Sequence, residues 1–160
     1  MQIYEWGAVN EHNKNRRGVV AFGDVTVPAS VPASGTATYV GVVYGSYTTN
    51  GSSDPSTFTG IAEVTANFAT RAVTVTIRNT PAAVALTANT AMGAAGNDTA
   101  NYLTGPAANA AMSGGLSGRF FGPIVAGGTG SGPIEIGGVF ALSNAGTNAA
   151  VVAGFIARKQ

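Results

Sequence analysis

In residues 72–80, AVTVTIRNT, Val73, Val75 and Ile77 alternate with Thr74, Thr76 and Arg78. A strand turns successive side chains to opposite faces, so this run has one apolar face to bury and one polar face to wet. Such a strand is stable only beside others of the same kind. TATYVGVVYGSYTT (36–49) repeats the pattern, with Thr38, Val40, Val42, Tyr44 and Ser46 on one face and Tyr39, Gly41, Val43, Gly45 and Tyr47 on the other. TFTGIAEVTANFATR (57–71), AVALTA (83–88), GGLSGRFFGP (114–123), IEIGGVFALSN (134–144) and AAVVAGFIARK (149–159) complete the set, divided by turn signals such as NGSSDPS. Helical periodicity is hard to find. The expectation is an all-β protein, an antiparallel β-barrel of about eight strands whose interior is filled by side chains. The stretch NTAMGAAGNDTANYLTGPAANAAMS (89–113) is the exception, its alanines fitting a short helix or a loop.

Residues 1–35 differ in character, with strand-like IYEWGAV and VVAFGDVTV separated by the polar EHNKNRRG and followed by PASVPASG. They read as an N-terminal extension of outer strands and linker, leaving 36–160 as the barrel. With 160 residues the chain is one barrel domain with this extension.

Charge narrows the partners. Only 9% of residues are charged and the formal net charge is +1, so there is no basic field to neutralise phosphates and nucleic acid is not an expected partner. The absence of cysteine removes disulfides, thiolate metal sites and thiol nucleophiles. No apolar run is long enough for a membrane-spanning helix, and MQIYEWGAVN has neither the basic start nor the apolar core of a secretory signal. Catalysis has no support, because one histidine and scattered acids do not make a nucleophile, base and orienting group.

The C-terminal third carries two aromatic and glycine blocks, GRFFGP (118–123) and EIGGVF (135–140), before the final GFIARKQ. Proline cannot donate to a ladder, so Gly122 and Pro123 are expected to end a strand. Gly137 and Gly138 remove two adjacent side chains in mid-strand, making room for Phe120, Phe121, Phe140 and Phe155. These blocks, with Gly118, Glu135 and Gly154, resemble the C-terminal β-barrel domain of the transferrin-binding protein B family, Gram-negative surface lipoproteins that include haemophores. The resemblance covers about residues 36–160 in strand order and is specific over 114–160.

It implies a non-enzymatic module at the cell surface, the outer membrane or in secreted form, serving capture of a host protein or a haem-type nutrient. This sequence departs from the family in lacking the anchoring cysteine and in the insertion IVAGGTGSGPI (124–134), expected to be a flexible loop. A lipocalin-like carrier of a small apolar ligand and a structural module of an adhesin are alternatives compatible with the composition.

Candidate contacts are few. His12, the single histidine, could ligate haem iron; otherwise no cofactor or metal is expected. Lys14, Arg16 and Arg17 form a basic cluster suited to an acidic partner or to carboxylates. Tyr39, Tyr44 and Tyr47, with Phe58, could offer an aromatic recognition surface. Glu135 is the motif carboxylate and is expected to bond backbone amides at a turn.

Overall fold

The computed structural model describes residues 2–7, 17–51, 54–127 and 130–160. Two strands, β1 (Gln2–Gly7) and β2 (Arg17–Phe22), pair antiparallel as a separate sheet. The remaining eight close into a barrel in the order β10-β3-β4-β5-β6-β7-β8-β9. They are β3 (Thr36–Thr48), β4 (Ser56–Asn67), β5 (Ala72–Arg78), β6 (Leu86–Met92), β7 (Tyr102–Ala108), β8 (Ser113–Val125), β9 (Gly132–Asn144) and β10 (Ala149–Lys159). Every neighbouring pair is antiparallel, and β10 closes the circle on β3 from Ala150↔Thr48 to Lys159↔Tyr39. Closure pairs every barrel strand on both sides, leaving open edge only where one strand outruns its neighbour.

The alternation in β5 puts Val73, Val75 and Ile77 inside and Thr74, Thr76 and Arg78 outside. In β3 the same rule buries Tyr39 and Val43 and leaves Val40 and Val42 exposed. Rings fill the interior: Tyr39, Phe68, Phe120, Phe140 and Phe155 are all fully buried. Phe120 joins two of them, its ring centroid 6.1 Å from Tyr39 and 5.9 Å from Phe68.

The Tyr39 hydroxyl is buried there without a hydrogen-bond partner among the described residues, and burial pushes its pKa well above the ordinary tyrosine value. Because the folded pKa is the higher one, stability is complete below the unfolded value near pH ~10 and falls above it, as only the unfolded chain ionises. Tyr39→Phe removes a polar group that gains nothing from being inside. It should raise stability by about 1 kcal/mol, seen as a higher urea midpoint, and soften the alkaline loss, both readable by fluorescence.

Three expectations change. Residues 89–113 are neither helix nor plain loop: β6 is set later than 83–88, running to Met92, and β7 occupies Tyr102–Ala108. The small residues of β7 hid the pattern, since only Leu103 and Ala107 point inward with real apolar side chains. Gly122-Pro123 does not end β8. It forms a bulge between Phe121 and Ile124, after which pairing resumes at Ile124↔Pro133 and Val125↔Gly132. Gly122 takes φ +73°, which lets the one extra residue bulge out without breaking the strand. Much of the 124–134 insertion is therefore strand, leaving 126–131 as the connection.

β8 outruns β7, and residues 24–26 use the edge this leaves. Gly122 N–H donates to the Asp24 carbonyl at 2.7 Å and Thr26 N–H to the Phe120 carbonyl at 3.1 Å, with Val25 bridged to Phe121. The Thr26 hydroxyl donates to the Gly122 carbonyl at 2.7 Å, and the Asn101 amide to the Thr26 carbonyl at 2.6 Å. A 3-10 turn at Pro28–Ser30 then drops Val31 into the core. The segment after β2 is thus bound to the barrel along its course.

Candidate functional site

With the interior occupied by rings, surface for recognition lies on the outer wall and the loops. Of the exposed large apolar residues, Val20, Phe22 and Val25 lie on β2 and the segment after it and line one groove with Tyr102 of β7; Val27 follows them in the chain, and Val40 and Val42 of β3 line a second groove. Val27 is 61% exposed and Phe22 46%, unusual exposure for side chains of this size.

Between β2 and the barrel wall runs a groove of about 340 Å³. Val19, Val20, Phe22 and Val25 form one side; Tyr102 of β7, Arg119 and Phe121 of β8 and Gly137 of β9 form the other. The strand register explains its floor. Tyr102 and Arg119 are direct cross-strand partners, and the Arg119 guanidinium carbon stands 3.7 Å from the centre of the Tyr102 ring. Arg119 faces Gly137, which carries no side chain, on its other side. Its Nε is buried and has no hydrogen-bond partner among the described residues.

The glycine pair of EIGGVF does two jobs. Gly138 points inward, where a Cβ would lie 2.8 Å from the Phe155 ring; Gly137 points outward and opens the groove. Gly118 faces Gly138 directly across β8 and β9. Of the aromatics in these blocks, Phe120, Phe140 and Phe155 are core, whereas Phe121 is outward and covered at the groove. Glu135 lies within β9 rather than at a turn, opposite Arg158 of β10 and Phe121 of β8. Gly154 sits across from Tyr44 and Val139.

The tyrosines are not one surface. Tyr39 is wholly inside, Tyr47 packs against the core with its ring edge-on to Phe58 at 6.0 Å, and Tyr44 is half-buried on the outward face. Alternation along one strand separates Tyr44 from the other two. His12, Lys14 and Arg16 lie outside the described residues; Arg17 opens β2. Among the described residues no cluster of three or more His, Asp or Glu could hold a metal ion, and no helix is long and apolar enough to cross a membrane.

Known structures share this fold. A transferrin-binding protein B from Haemophilus parasuis superposes with a TM-score of 0.63 at 20% identity, over 86% of this chain and 29% of that one. The fold is the barrel of transferrin-binding protein B. A surface lipoprotein matches with a TM-score of 0.58 at 15% identity, covering 89% of this chain and 67% of that one. HpuA from Kingella denitrificans, in complex with human haemoglobin, matches with a TM-score of 0.53 at 19% identity, over 86% of this chain and 48% of that one. This chain therefore spans under a third of the transferrin-binding protein and about half of HpuA. No family model and no curated protein matches the sequence.

Sequence reasoning missed Arg119 and Tyr102. The signal was present in RFF and NYL, but their pairing depends on β7, which small residues concealed.

Proposed function

We propose that the chain is a non-enzymatic binding module of the Gram-negative cell surface that captures a host protein or a haem-type nutrient. The observation that carries this is the division of the barrel: rings close the interior, and exposed apolar side chains gather on the outer wall around β2. A closed, filled barrel is a rigid platform with no room for a sizeable ligand inside. Recognition then belongs to the wall, and aromatic and aliphatic residues exposed there suit a protein partner. The motif resemblance and the fold shared with proteins named for transferrin binding, or solved with haemoglobin, support the same reading. Lys14, Arg16 and Arg17 are proposed as basic contacts for an acidic partner.

Immobilised chain exposed to host serum and to haem-loaded haemoglobin, with retained proteins identified by mass spectrometry and haem by its absorbance, tests the proposal. A specific, saturable partner is expected. A folded chain that retains nothing above a blank surface would contradict it.

A further inference from the structure

We infer that the groove between β2 and the barrel wall binds a small apolar carboxylate, held through its carboxylate by Arg119 and through its apolar body by Val19, Phe22, Val25 and Phe121. This does not rest on capture of a host protein, and either can hold without the other.

Three observations converge on that chemistry. The groove volume, about 340 Å³, lies in the range of small-molecule sites, and its walls are mostly aliphatic and aromatic. A guanidinium stands in the floor, its central carbon over the Tyr102 ring, which helps hold the cation in place. Its Nε–H is buried and unpartnered among the described residues. A buried donor without an acceptor is costly unless something supplies one. A carboxylate matches a guanidinium edge in charge and in its paired oxygens, and the residue facing Arg119 on β9, Gly137, adds no side chain to the groove lining. An apolar tail is then sheltered by the β2 side chains, whose exposure it would relieve. A cation would be repelled by Arg119, and a neutral apolar ligand would leave the Nε–H unpaired.

Phenylbutyrate is a suitable probe, with phenylbutanol as the same body lacking the charge. Calorimetric titration of the full chain should show phenylbutyrate binding roughly tenfold or more tighter than phenylbutanol, the worth of a charge-assisted hydrogen bond. In nitrogen-edited NMR spectra the Arg119 Nε–H signal should move with the acid and not with the alcohol. Arg119→Gln should bring the two affinities together. Should that variant fail to fold, Val25→Asp, at an exposed position on the groove, should weaken the acid selectively while the barrel stays intact. Equal affinity for acid and alcohol in the native chain, no binding of the acid, or an Arg119 signal that ignores it would overturn the inference.

Discussion

Gly138→Val is expected to abolish cooperative folding. A Cβ at this position would lie 2.7 Å from the Ser117 carbonyl oxygen and 2.8 Å from the edge of the Phe155 ring. Neither neighbour can yield cheaply. The carbonyl belongs to the adjoining strand, and Phe155 is fully buried among packed side chains. Interiors at this density respond to added volume by straining rotamers and backbone, and valine adds two methyl groups beyond the Cβ. The cost should be about 3 kcal/mol or more, a large share of a domain's usual stability.

Urea denaturation followed by circular dichroism reads this directly, and Gly115→Ala is the matched control. There the nearest atom to an added Cβ is the Gly105 carbonyl oxygen at 3.8 Å, so the substitution should be neutral. Replacing Phe155 by Leu in the Gly138→Ala background should recover part of the loss, since the two positions compete for one space. A Gly138→Val chain as stable as the native one would mean that the ring does not lie where the account places it.

Arg71→Met should produce the next largest effect. Arg71 sits in the turn between β4 and β5, yet its guanidinium donates to three carbonyls from other segments: Gly93 at 2.8 Å, Ala100 at 2.8 Å and Pro32 at 3.1 Å. One side chain thus ties the β6–β7 connection and the segment entering β3 to the same end of the barrel. Partial burial pulls its pKa below the usual guanidinium value, but not far enough to threaten its charge at neutral pH.

Methionine keeps the apolar stem and leaves three carbonyls without their donor, a loss of roughly 2–3 kcal/mol. Arg71→Lys should lose most of this too, because an ammonium on a flexible stem cannot present a planar fork to three oxygens. Hydrogen exchange should localise the damage, with amides around 93–101 and 31–35 losing protection while β4 and β5 keep theirs. Uniform loss of protection across all strands would show that Arg71 is not a local tie.

What could be read in advance depended on side chains large enough to report their facing. β3, β5 and β10 alternate valines, isoleucines, tyrosines and phenylalanines with polar or small residues, and their pairing follows from that period. β7, YLTGPAA, spends its inward positions on Leu, Gly and Ala, so alternation has little to act on. It becomes a strand because β8 and β6 offer it a ladder.

The bulge at Gly122 was hidden for a different reason. Gly-Pro punctuates a strand in isolation, and only the bound segment 24–26 and the resumed pairing with β9 show the chain passing through it. At the candidate site, the wall residues of β2 belonged to a stretch set apart in the sequence reading by its composition. Arg119 and Tyr102 became partners only through register, a long-range property that neither segment states alone.

A titration of human haemoglobin and of transferrin onto the immobilised, folded chain, beside a variant carrying Phe22→Asp and Val25→Asp, tests the wall-recognition account most directly. The account predicts saturable binding of one of them to the native chain and its loss in the variant, with both chains unfolding at closely similar urea concentrations. Absence of saturable binding to the native chain, or binding that the two exposed aspartates leave unchanged, would contradict it.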